Sequence, residues 1–156
     1  MPQCHHRLYR NAPHAQLEGS ACGLDARAGE VTNVLGPMYV LETCDLVTVH
    51  GMIRVMSSRH GSASNNTNGQ REEYRGSKAA LIMFIRNFAT RLSGDCRTMV
   101  RMDPGWVRPE MGGPDARHGI EHSVPNIGST QLATQRKPGL RYLDWAGSLI
   151  AATQHR

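Results

Sequence analysis

The stretch that most limits what this chain can fold into runs from Met52 to Leu92, MIRVMSSRHGSASNNTNGQREEYRGSKAALIMFIRNFATRL. A short apolar segment leads into a loop rich in Gly, Ser and Asn, and the loop leads into a long segment of helical character. A strand bounded by Gly51 and a polar loop, and followed by a helix, reads as part of a buried parallel sheet. Tyr74 and Lys78 stand four residues apart at the start of the predicted helix, so they share one of its faces. Ser57 and Ser58 sit where the strand gives way to the loop. A hydroxyl, a phenol and an ammonium converging at a strand's carboxyl end make a proton-transfer site.

The remaining chain is read around that unit. Residues 1–27 show no clean period and are expected to be irregular. From about Ala28, Val31, Val34, Leu35, Met38, Leu41 and Val47 recur at roughly helical spacing, with Gly36-Pro37 expected to kink the helix. Within Glu72 to Leu92, Leu81, Ile85, Phe88 and Leu92 form one apolar stripe, and Ile82 and Met83 form a second apolar side. Gly94 suits a left-handed cap after it. A second strand is predicted over Arg97–Asp103 and a third over Leu140–Trp145. Ile120–Ala133 has weak helical periodicity, interrupted by Pro125 and Gly128. Arg54 in the first strand and the arginines of RTMVRMD in the second are unexpected residents of buried strands. Strand, helix, strand, helix, strand implies an α/β fold with a parallel sheet and flanking helices.

Composition narrows the function classes. With 156 residues and 17.2 kDa the chain is expected to form one domain. No run approaches 18 apolar residues, and the N-terminus lacks the apolar core of a secretory signal, so neither a membrane span nor secretion is expected. The net charge of +5 comes from arginines scattered along the whole chain, with few aromatics among them. That pattern argues for a basic surface favouring anionic ligands and against nucleic-acid binding. Cys4, Cys22, Cys44 and Cys96 are irregularly spaced and include no C-x-x-C pair, so reduced cytoplasmic thiols and no structural metal are expected. The Cys4-His5-His6 cluster reads as part of a mobile terminus.

SSRHGS, then YRGSK, then DPGWVRPEMGGPDA, then GLRYLDWAG resembles the short-chain dehydrogenase/reductases, and most nearly their sniffer-like carbonyl reductase branch. Four local matches in order are far more specific than a lone YxxxK. The resemblance implies a partial doubly wound, Rossmann-like domain over residues 28–147, followed by a tail over residues 148–156. It implies an NAD(P)-dependent oxidoreductase acting on a small carbonyl or secondary alcohol. Tyr74 would be the general acid/base, and Lys78 with the bound cofactor would lower its pKa from an ordinary value of about 10. Ser58 would hydrogen-bond the substrate oxygen, and Asn33 would complete the tetrad through a water-linked relay behind Lys78. Tyr74, Lys78, Pro104, Gly105 and Val107 would lie against the cofactor, and Trp106 would pack or wall the substrate pocket. Pairing of residues 28–48 and 72–92 across a subunit interface is common in the family, so a homo-oligomer is expected.

Departures from the family pattern bear on activity. The glycine-rich turn TGxxxGIG, which holds the dinucleotide pyrophosphate at a helix N-terminus, does not occur in this sequence, nor does the NNAG segment. Where the family usually places a threonine for the nicotinamide amide, this chain has Pro109. Weak or absent cofactor binding is therefore expected of this chain. The alternative reading is a truncated or degenerate relative, catalytically inactive, that serves at most as a binding or assembly partner.

Overall fold

A computed structural model describes residues 24–108 and 115–150. Cys4, His5, His6, Cys22, Pro109 and the end of the expected tail lie outside them. Leu24–Glu30 (α1) and Gly36–Leu41 (α2) are α-helical, and a π-helical turn at Val31–Leu35 joins them. The helix thus begins before Ala28 and ends before Val47, with a short 3-10 turn at Cys44–Leu46 beyond it. Pro37 has no N–H to offer the Asn33 carbonyl, and the ladder widens just ahead of it: the Gly36 N–H reaches back to the Val31 carbonyl. The expected kink is therefore a π turn, with Asn33 inside it.

Met52–Met56 (β1), Thr98–Asp103 (β2) and Gly139–Asp144 (β3) form one parallel sheet in the order β1-β2-β3. The register aligns Met52 with Thr98 and Thr98 with Gly139, so the three strands finish side by side. Glu72–Arg91 (α3) joins β1 to β2, and Ile120–Thr134 (α4) joins β2 to β3. Leu81, Ile85 and Phe88 of α3 are buried with Val55 and Met99 on one face of the sheet, closed at the far side by Leu41 and Cys44. Val100, Met102 and Leu143 face the other way and pack with Ile127 of α4. Helices on both faces of a parallel sheet make this a doubly wound α/β fold.

Two expectations need correction. α4 is continuous across Pro125 and Gly128. Gly128 meets nothing within contact distance, so it carries only a propensity penalty. Asn126 donates a side-chain hydrogen bond to the His122 carbonyl in the turn around Pro125. The thiols are also not uniformly reduced: Cys44 is free and buried, whereas Cys96 is disulfide-bonded.

The arginines in and beside strands each have a separate answer. Arg54 is exposed on β1. Arg97 binds both carboxylate oxygens of Asp95 and donates to the Cys44 carbonyl. Arg101 is buried in the central strand and lies 3.5 Å from the centre of the Tyr142 ring, its strand neighbour. After β3 the chain turns at Gly147 and folds back, with Ile150 donating to the Tyr142 carbonyl and Asp144 to that of Ser148.

Candidate active site

The polar residues collect where the strands end. Asp103 closes β2, Asp144 closes β3, and Ser57 and Ser58 follow β1. Arg59 ties these ends together: its Nε lies 2.8 Å from Asp103 Oδ2, and its Nη2 lies 3.0 Å from Asp144 Oδ2. Each aspartate uses its other oxygen to build the following turn. Asp103 Oδ1 accepts from the Gly105 N–H, and Asp144 Oδ1 accepts from the N–H groups of Ala146 and Ser148. One guanidinium thereby fixes the two turns relative to the Ser58 loop.

The loop is held to α3 by close backbone approach. Gly61 has no room for a side chain, because a Cβ there would lie 2.7 Å from the Lys78 carbonyl carbon and 2.6 Å from Ile82 Cδ1. Ser58 caps the 3-10 turn Arg59–Gly61, accepting from the His60 N–H at 3.2 Å. Tyr74 lies in the first turn of α3, edge-on to the His60 ring with centroids 5.9 Å apart. Lys78, one turn further on, places Nζ 5.7 Å from the Tyr74 ring centre, and burial pushes its amine below the ordinary lysine value.

Ser58, Tyr74, Gly105 and Val107 line a single cleft of about 510 Å³. His60, Arg71, Trp106, His118 and Trp145 supply other parts of its wall. Gly105 sits at φ 80 in the turn after β2, where a Cβ would come within 2.9 Å of Trp145. Pro104 belongs to the same turn, and Ser123 of α4 holds its carbonyl at 2.8 Å. Lys78 and Asn33 line a neighbouring cleft of about 600 Å³ between α2 and β1. Asn33 reaches the site indirectly: its Nδ2 donates to Ser77 Oγ at 3.1 Å, and Ser77 Oγ donates to the Tyr74 carbonyl at 3.0 Å.

Four contributors lay outside the reading of the sequence: Arg59, His60, Asp103 and Asp144. Their signal was an aspartate at the end of β2 and of β3 and an arginine just after β1. That pattern acquires meaning only when the strands are known to end in register.

The Gly105 turn and Tyr74 thus share one cleft, while Lys78 faces the neighbouring one from one helical turn further along α3. Among the described residues no glycine-rich turn offers a seat for the pyrophosphate. No protein-family model matches the chain. It is 41% identical over 121 residues to the C-signal protein of Myxococcus xanthus, covering 76% of this chain and 73% of that one. A solved short-chain dehydrogenase/reductase from Burkholderia multivorans with bound NADP superposes with a TM-score of 0.76 at 49% identity.

The chain belongs to the short-chain dehydrogenase/reductases.

The Burkholderia match covers 80% of this chain and 55% of that one, so the chain spans about half the length of the solved relative. Carbonyl reductase Sniffer of D. melanogaster is similar at 25% identity with a TM-score of 0.71, covering 90% of this chain and 64% of that one. A 1-hydroxy-2-glutathionyl-2-methyl-3-butene dehydrogenase of Rhodococcus is 35% identical over 80 residues, which is 51% of this chain and 35% of the relative.

Proposed function

We propose that this chain carries the proton-transfer half of a short-chain dehydrogenase/reductase site and reduces a small carbonyl compound, or oxidises the corresponding alcohol, with NAD(P). The observation that carries the reading is the convergence of Ser58, Tyr74 and the Gly105 turn on one cleft, with Lys78 one helical turn behind Tyr74. NADP bound to the Burkholderia relative supports the cofactor class, and the Sniffer carbonyl reductase supports the substrate class.

Tyr74 passes a proton to the substrate oxygen in reduction and takes it back in oxidation. Ser58 orients that oxygen by hydrogen bonding. Lys78 and Tyr74 would hold the nicotinamide ribose, and Pro104, Gly105 and Val107 would lie against the ring. The bound cofactor supplies or accepts the hydride. Lys78 also places its ammonium 5.7 Å from the Tyr74 ring centre, a positive charge beside the proposed acid/base. Asn33 supports the first turn of α3 through Ser77 and stands beside Lys78 in the second cleft, a position suited to a water-linked relay. A cytoplasmic setting and a homo-oligomeric state are part of the proposal, as is the division into a domain over residues 28–147 with flanking segments.

A second reading, a degenerate relative without a working dinucleotide site, is favoured by one observation: no glycine-rich turn faces the cleft among the described residues. Calorimetric titration with NADPH and NADH separates the two. Affinity weaker than micromolar is expected, and its loss in Lys78→Met. Micromolar affinity would exclude the degenerate reading, and no binding at millimolar cofactor would favour it. Turnover at saturating cofactor, and its dependence on Tyr74, tests the chemistry.

A further inference from the structure

We infer that His60 is a positioning residue for Ser58, setting whether the serine hydroxyl offers the substrate a proton or a lone pair. The inference rests on the proposed role of Ser58 at the substrate oxygen. Ser58 Oγ accepts from the His60 backbone N–H at 3.2 Å, and it also lies 3.2 Å from His60 Nδ1. A hydroxyl has one proton to donate and two lone pairs. The backbone N–H fills one lone pair, so the contact with Nδ1 decides what remains.

With Nδ1 unprotonated, the hydroxyl donates to it, and Oγ faces the cleft with a lone pair. That arrangement suits an alcohol, which donates. With Nδ1 protonated, the ring donates to Oγ and fills the second lone pair. The hydroxyl proton is then free for a carbonyl, which accepts. Either way the His60 ring stands edge-on to Tyr74, so the switch operates beside the proposed acid/base. Both His60 and Ser58 line the cleft.

The surroundings favour the neutral ring. Burial lowers the His60 pKa, and Arg75 and Arg71 at the start of α3 act in the same direction, while Asp103 at the end of β2 opposes them. Arg59, on the turn that carries His60, is engaged with Asp103 and Asp144. Arg117 and His118 face the same cleft from the far wall.

The chain has eight histidines, so the test begins with NMR assignment of His60 by loss of its signals in His60→Gln. The 15N spectrum at neutral pH is expected to show Nδ1 unprotonated and hydrogen-bonded, and Ser58→Ala is expected to move the Nδ1 shift and the titration midpoint. A neutral ring protonated at Nδ1, or a midpoint unmoved by Ser58→Ala, would overturn the inference. In turnover at saturating NADPH, reduction by the wild type is expected to fall up to about tenfold per pH unit above the His60 midpoint. His60→Leu is expected to remove that limb and leave a flatter profile; an unchanged limb would overturn the inference too. If no variant turns over, the proposed function fails, and the NMR arm alone decides the fate of the Ser58–His60 pair.

Discussion

Arg59 is the residue on which the geometry of the cleft depends most. Its guanidinium is the shared partner of Asp103 and Asp144, whose side chains are only 6% and 12% exposed. Arg59→Ala removes that partner and leaves two nearly buried carboxylates facing each other. The expected cost is about 1–3 kcal/mol in denaturant unfolding, with the turns after β2 and β3 loosening together in hydrogen exchange. A change below about 0.5 kcal/mol would show that each aspartate is held by its own turn. Arg101 presents the opposite case. It is buried, its Nε has no hydrogen-bond partner, and burial lowers its pKa. Tyr142, on which it stacks, has its phenol pushed up to about 12, chiefly by burial and then by Asp103. A buried cation without a carboxylate contributes little stability, so Arg101→Met is expected to be neutral or up to about 1 kcal/mol stabilising. A loss of more than 2 kcal/mol would assign the ring stacking a larger share.

Two glycines of the α3 region test the packing at the scale of elements. Gly61 sits against the backbone of Lys78, whereas Gly76, inside the helix, meets nothing within contact distance. Gly61→Ala is expected to cost about 1–3 kcal/mol by forcing the loop off the helix. Gly76→Ala is expected to stabilise by about 0.5–1 kcal/mol through helix propensity alone. Equal effects would contradict the close approach. The π turn makes a related prediction. Pro37→Ala restores a donor for the Asn33 carbonyl, so the turn can relax to a regular helix and withdraw the Asn33 side chain from Ser77. Persistence of the Asn33 amide signals at their wild-type shifts would contradict a proline-driven turn.

The parts of this arrangement that could be read from the chain were those set by local pattern. The apolar stripe of Leu81, Ile85 and Phe88 is buried as its spacing implies, and the three strands lie within a residue of their expected places. Ser58, Tyr74 and the Gly105 turn were readable because each follows a strand or opens a helix. Local propensity misled where tertiary packing decides, as in α4, which stays helical through Pro125. Arg59, His60 and the two aspartates were illegible because their roles come from the register of three strands far apart in sequence.

As a whole molecule, the chain leaves two kinds of surface open. Among the described residues β1 pairs on one side only, and an apolar cleft lies beside it. Val31 and Val40 on the α1–α2 side, with Met83 and Phe84 on α3, are also exposed. An unpaired strand edge and apolar helix faces favour self-association, so sedimentation is expected to show a dimer or larger species. A monodisperse monomer would contradict that expectation. No helix among the described residues is long and apolar enough to cross a membrane.

Proton handling by Tyr74 in a hydride-transfer reaction, as proposed above, can be tested directly. The direct measurement is consumption of NADPH at saturating concentration with a carbonyl substrate, comparing the wild type with Tyr74→Phe, which removes only the phenolic oxygen. Measurable turnover by the wild type and a loss of about 10²–10⁴-fold in Tyr74→Phe are expected. Turnover retained in Tyr74→Phe, or absent from the wild type at every cofactor concentration, would contradict it.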